Sequence, residues 1–223
     1  DYDNWVFPGK WGVELHDWDY TKGTDIIIND TALEGIPFTA ISEKAFFNDK
    51  QLTSLSLPSS VERVDSLAFE GASNLKTITF SDSGKGLKKI DSLAFKDCSS
   101  LESIDLSNAE ITEIPVRAFE NCTSLKSIKL PSTVTKIADN AFAGCSNLEE
   151  IKGLEQCKIS ELSATAFDGC VRLKDINLSN ATIAAIPNQI FSGMRGLISA
   201  TVPKTVTSIA VSYTHLTLPT ILR

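Results

Sequence analysis

Ile114-Pro115-Val116-Arg117-Ala118-Phe119-Glu120-Asn121-Cys122-Thr123-Ser124-Leu125-Lys126-Ser127-Ile128-Lys129-Leu130-Pro131 is the stretch on which the reading of this chain turns. An aliphatic residue stands five places before the phenylalanine of an Ala-Phe pair, and a leucine six places after that phenylalanine. The same three columns recur along the chain. The phenylalanines are Phe46, Phe69, Phe95, Phe119, Phe142, Phe167 and Phe191, each preceded by alanine except the last, which follows Ile190. The leucines are Leu52, Leu75, Leu101, Leu125, Leu148, Leu173 and Leu197. The aliphatics are Ile41, Val64, Ile90, Ile114, Ile137, Leu162 and Ile186, at intervals of 23, 26, 24, 23, 25 and 24 residues. A fixed period of this length is the mark of a stacked repeat protein.

Within each unit two textures alternate. Leu125 to Pro131 places apolar residues at every second position, which predicts a short strand with one buried face. Proline ends that strand at Pro58, Pro131 and Pro203 without removing an interior ladder donor. The Ala-Phe segment reads as a tight turn, with one turn of short helix as its upper limit. A unit this small cannot bury its own apolar columns, so its core must be closed by the units on either side. The expected fold is a solenoid with a parallel sheet on its concave face and turns, loops and short strands on the convex side. The seven repeat phenylalanines are its structural core. Residues 41–211 form the seven repeats, 1–40 an N-terminal cap, and 212–223 a tail.

The unit Ile-x-x-x-Ala-Phe-x-x-Cys-x-x-Leu-x-x-Ile-x-Leu-Pro, and the opening segment Gly23-Thr-Asp-Ile-Ile-Ile-Asn-Asp followed by Gly35-Ile-Pro-Phe-Thr-Ala-Ile, resemble the BspA-like class of leucine-rich repeats over about residues 20–211. The resemblance implies a surface or secreted protein of host-associated bacteria, several relatives of which are adhesins for host matrix proteins or partner cells. It implies no particular ligand. The units depart from the pattern in places. Ser81 to Gly86 is an insertion expected to bulge as a loop, and Gly153 stands where a strand leucine belongs. After Ile209 the Ala-Phe pair is lost, which fits either a degenerate cap or a junction with non-native sequence; the abrupt loss of register favours the junction.

Composition narrows the function classes. The net charge of −7 counts against nucleic acid and anionic membranes as partners. No apolar run is long enough to span a bilayer. Acidic residues crowd the first 34 positions, a pattern that fits a solvated cap better than a metal site. Asp1 is followed at once by aromatic and acidic residues rather than by a basic and then an apolar segment. The expectation is therefore either an intracellular protein or one whose secretion signal was removed before Asp1. The resemblance implies the second, an extracellular or cell-surface location.

The chemistry-bearing residues are sparse. Cys98, Cys122, Cys145 and Cys170 each sit three places after a repeat phenylalanine, in one expected column near bridging distance. A redox or metal ladder would use such a column, but small buried hydrophobes occupy it equally well, and no Cys-x-x-Cys pair suggests zinc. His16 and His215 lie at opposite ends of the chain. No phosphate loop, nucleophile elbow or zinc-protease signature occurs, so the reading is non-catalytic, with no metal and no cofactor. Sequons, those at Asn29, Asn121 and Asn180 among them, are few enough for chance to supply. The Asp82 loop reads as polar rather than as a calcium site. Trp5, Trp11 and Trp18, with Phe7 and Tyr20, suit either an interface or the sealing of an open solenoid end.

The outward residues of the strands remain. Ser54, Ser56, Thr77, Thr79, Ser103, Asp105, Ser127, Lys129, Glu150, Lys152, Asp175, Asn177, Ser199 and Thr201 are expected to share the concave face. A hydroxyl-rich surface thus surrounds a charged middle, of which Ser103, Asp105, Ser127, Lys129, Glu150, Lys152, Asp175 and Asn177 are the candidate binding residues. The partners that the resemblance implies for such a face are host or bacterial surface proteins or glycans. A spacer that displays another domain is the alternative.

Overall fold

The computed structural model describes residues 6–9, 12–15, 23–28 and 37–209. The aromatic group Trp5, Trp11, Trp18 and Tyr20, both histidines, the Asn29 sequon and the tail from 212 onward lie outside the described residues.

A hairpin of β1 (Val6–Gly9) and β2 (Gly12–Leu15) leads to β3 (Asp25–Ile27) and β4 (Phe38–Ile41). From there every unit gives one strand to each of two parallel sheets. The main sheet orders β3, β5 (Ser54–Leu57), β7 (Thr77–Phe80), β9 (Ser103–Asp105), β11 (Ser127–Lys129) and β13 (Glu150–Lys152) side by side. A further pair, β15 (Asp175–Asn177) and β17 (Ser199–Thr201), is tied to β13 by the Lys174 N–H donating to the Glu149 carbonyl at 3.2 Å. Register is conserved between neighbours: Ser103 faces Ser127, which faces Glu150.

The second sheet is built from two-residue strands at the aliphatic column. They are β6 (Arg63–Val64), β8 (Lys89–Ile90), β10 (Glu113–Ile114), β12 (Lys136–Ile137), β14 (Glu161–Leu162), β16 (Ala185–Ile186) and β18 (Ser208–Ile209). A rung runs from one short strand, through the Ala-Phe turn, to the next main strand. The second sheet is in three pieces, β1-β2-β4-β6-β8, β10-β12-β14 and β16-β18.

The Ala-Phe segments form a third side. They are turns rather than helix, because each contains residues of positive φ that a helix excludes. One such place is two residues after the phenylalanine, where φ is 55° at Asn48, 59° at Asp97, 60° at Asn121 and 75° at Gly144. Asparagine, aspartate and glycine are the residues that tolerate this conformation most cheaply. The turns bond to one another across rungs. The Phe95 N–H donates to the Ala118 carbonyl at 2.9 Å, and the Phe119 N–H to the Ala141 carbonyl at 2.9 Å.

Three hydrogen-bonded sides enclose one core that runs the length of the stack. All seven repeat phenylalanines are buried. The rings from Phe46 to Phe167 stack face over face, with centroids 5.2 to 5.8 Å apart and planes within 9° of parallel. This spacing follows from the rung height of about 4.8 Å, which brings each ring within stacking range of the next and lets it lie offset.

Candidate binding face

Strand alternation explains which side chains the main sheet presents. In β11 the burial order is half-buried, buried, exposed for Ser127, Ile128 and Lys129. Across the sheet the apolar middle residue points inward and its neighbours outward. Of the eight candidate residues Ser103, Lys129, Glu150, Lys152 and Asp175 are exposed, and Asp105, Ser127 and Asn177 half-buried. They lie on the adjacent strands β9, β11, β13 and β15. The sheet extends one strand further than the seven units suggest, because β3 pairs with β5 and places Ile27, 72% exposed, opposite Ser56. Apart from Ile27, the outward strand residues of this face are polar.

Much of the polarity is satisfied internally. Lys129 forms an ion pair with Asp105 on the preceding strand. The same carboxylate accepts from Ser107 Oγ at 2.7 Å and from the Ser107 N–H at 3.0 Å. Partial burial works to raise the Asp105 pKa, but the Lys129 ammonium and the Ser107 bonds outweigh it and hold the group below its ordinary value. Asn177 repeats this local role, accepting from the Ser179 N–H at 3.1 Å. Asp105 and Asn177 therefore brace the chain where it leaves the strand as well as facing solvent. Lys152 pairs with Glu150 of its own strand at 3.3 Å.

Beside the sheet runs a column of alternating sign: Lys76, Glu102, Lys126, Glu149 and Lys174. Lys126 meets Glu102 at 3.0 Å, and Glu149 takes Lys174 together with Arg172 at 3.1 Å. Exposed pairs of this kind add little stability each, but opposite signs on successive rungs disfavour a stack shifted by one unit.

The cysteine column lies inside. All five cysteines are free and buried. Cys98, Cys122, Cys145 and Cys170 direct their thiols at the carbonyl of the phenylalanine one rung back (Phe69, Phe95, Phe119 and Phe142) at 3.0 to 3.2 Å. Burial pushes all of these thiols up, and Cys157 to about 11, so none is a thiolate at neutral pH. Small volume and a weak donor aimed at a carbonyl explain the column as packing. Two sequons are also committed to the stack. Asn121 Nδ2 donates to Asp97 Oδ1 at 2.8 Å, and Asn180 Nδ2 to the Glu155 carbonyl at 2.7 Å.

The described residues contain no histidine and no group of His, Cys, Asp or Glu side chains arranged to hold a metal ion. No helix among them is long and apolar enough to cross a membrane.

Parallel main strands, short opposing strands, and leucine, isoleucine and phenylalanine columns shared between rungs define a leucine-rich-repeat solenoid. The BspA type leucine rich repeat region matches in six copies across residues 39–160 and 112–217, and the chain belongs to that family. Among solved structures it is similar to a leucine-rich cell surface protein from Faecalibacterium prausnitzii A2-165, at 21% identity and a TM-score of 0.63, over 92% of this chain and 70% of that one. It is also similar to the T. pallidum leucine-rich repeat protein, at 29% identity and a TM-score of 0.55, over 75% of this chain and 86% of that one. No curated protein sequence matches it.

Proposed function

We propose that the chain is a non-catalytic recognition module, acting at a cell surface or after secretion, that binds a protein or glycan ligand through the outward face of its main sheet. The observation that supports this most is the concentration of Ser103, Asp105, Ser127, Lys129, Glu150, Lys152, Asp175 and Asn177 on neighbouring strands, of which β9, β11 and β13 pair in register. Extended sheet faces of this type are the usual binding surfaces of solenoids. The solved relative named as a cell surface protein supports the location. With no aromatic or arginine on these strands, the face lacks the commonest anchors of tight interfaces. Its contacts are polar and salt-sensitive, and its affinity modest.

The experiment is a binding comparison on immobilised matrix proteins, a glycan array and whole host cells, with the charge-reversal pair Lys129→Glu and Glu150→Lys beside the unaltered chain. Loss of binding in the pair at unchanged melting temperature supports the reading. Binding that both substitutions leave intact removes the main-sheet face from consideration. The internal pairing of Lys129 with Asp105 favours the second reading, a spacer displaying another domain. Failure to retain any of these ligands would favour it.

A further inference from the structure

Three kinds of connection from main strand to short strand follow one another in fixed order. The first carries the strand-ending proline, at Pro58, Pro131 and Pro203, positions separated by 73 and 72 residues. The second is the longer connection containing a 3-10 turn, Ser81–Gly84 and then Leu154–Gln156. The third is Leu-Ser-Asn-Ala, beginning at Leu106 and again at Leu178, 72 residues on. The third kind braces the second. Asn108 Nδ2 donates to the Asp82 carbonyl at 2.8 Å, and Asn180 Nδ2 to the Glu155 carbonyl at 2.7 Å. The solenoid thus repeats in blocks of three rungs as well as in single rungs.

Each Leu-Ser-Asn-Ala rung begins where the second sheet is interrupted, between β8 and β10 and between β14 and β16. Two local features cause this. Leu106 to Ile114 holds one residue more than Leu130 to Ile137, so the backbone bond slips: Glu110 donates to the Leu87 carbonyl, and Thr182 to the Ile159 carbonyl. Proline then follows the aliphatic, at Pro115 and Pro187. In other rungs that position supplies a ladder N–H, as Ser163 does to the Ile137 carbonyl at 2.9 Å, and proline has none to give.

The two interruptions differ on the turn side. At the first, Phe95 and Asp97 still donate to the Ala118 and Glu120 carbonyls at 2.9 and 2.8 Å. At the second, among the described residues, the Phe167 turn makes no such bond to the next. Its Thr165 N–H turns onto Ser163 Oγ at 3.2 Å instead. The cause is local: this position has positive φ at Leu67, Leu93, Arg117, Asn140 and Gln189, but not at the β-branched Thr165. Between β14 and β16 the stack is held by β15 against β17 and a few flanking bonds, including Gly196 to Val171 at 2.8 Å. An open groove of about 560 Å³ lies over this opening, with Leu162, Ser163, Ala184, Ala185 and Pro187 among its walls.

We propose that this junction is a built-in flexure: the rungs splay on the second-sheet side about the intact β15–β17 pair, changing the curvature of the main sheet. Such a flexure operates whether or not that sheet binds a ligand. Hydrogen exchange followed by mass spectrometry on the full chain tests it. The expected result is that the amides of 165–169, which lack the forward bonds, exchange about tenfold or more faster than their counterparts 93–97, the scale of one lost ladder bond, while 199–201 stay as protected as 175–177. The double variant Thr165→Asn, which admits the positive φ, with Pro187→Ser, which supplies the missing N–H, should slow exchange of 165–169 by a similar factor. Equal protection of the two segments, co-exchange of 165–169 with 199–201, or no change in the variant would each overturn the proposal.

Discussion

Replacing Phe119 by alanine opens the middle of the phenylalanine stack. Its ring is fully buried and lies 5.2 Å from that of Phe95 and 5.5 Å from that of Phe142. Two stacked contacts are lost together, and neither neighbour can follow the missing ring, because each is pinned by its own turn bonds to adjacent rungs. Truncation of a buried phenylalanine costs about 3–5 kcal/mol. The upper half of that range is expected here, since each aromatic contact adds about 0.5–1.5 kcal/mol beyond area burial. For a chain of this size about 2–4 °C of melting temperature accompanies each kcal/mol, so the midpoint should fall by roughly 8–20 °C. Urea denaturation followed by circular dichroism measures the loss, and an unchanged slope shows that the native fold is otherwise retained. Phe119→Leu, which keeps most of the apolar volume, should lose less than half as much. A loss below about 1 kcal/mol for the alanine variant would refute the reasoning, because no fully buried, doubly stacked ring is that cheap to remove.

Three further outcomes follow from the same geometry. Gly153 has φ +84° and a Cβ there would run into the Leu130 carbonyl oxygen, so Gly153→Ala should cost about 2 kcal/mol or more; calorimetry showing a neutral substitution would contradict the stated path of that connection. All five thiols should resist a disulfide-exchange reagent in the native protein at pH 8 and react in denaturant, because burial raises their pKa values and covers them; one fast native thiol would count against the packed column. Asp105 titrates below its ordinary 3.8 in the fold, so its stabilisation is complete above about pH 4 and is lost as the pH falls through the lowered value. Lys129→Met should flatten the acid limb of a stability–pH curve, and an identical limb in the variant would deny the pair its role.

The columns carried most of the fold because each is a repeated physical demand. An aliphatic, a phenylalanine and a leucine at fixed offsets can all be buried only if rungs stack. Alternation in Leu125 to Pro131 likewise gave the outward set, and the structure puts Ser127 and Lys129 on the exposed side of β11. Other features depend on partners that the sequence does not name. The pairing of Asp105 with Lys129 is set by sheet register, and the thiol–carbonyl bonds of the cysteines by rung height. The main sheet's extra strand β3 lay in an opening segment with no Ala-Phe pair to mark it. One signal was present and informative: two residues after each repeat phenylalanine stand only asparagine, aspartate or glycine, the residues that left-handed turns favour. That column argues for turn over helix. The ligand stays illegible because a polar sheet face satisfies the rules of stacking with many different side chains.

The central claim is that successive repeats share one aromatic spine, and ring-to-ring contacts measured in solution test it most directly. With phenylalanine selectively labelled and each ring assigned by substitution, nuclear Overhauser effects should link Phe46, Phe69, Phe95, Phe119, Phe142 and Phe167 in that order, each only to its immediate neighbours. Rings without such contacts, or contacts that skip repeats, would contradict it.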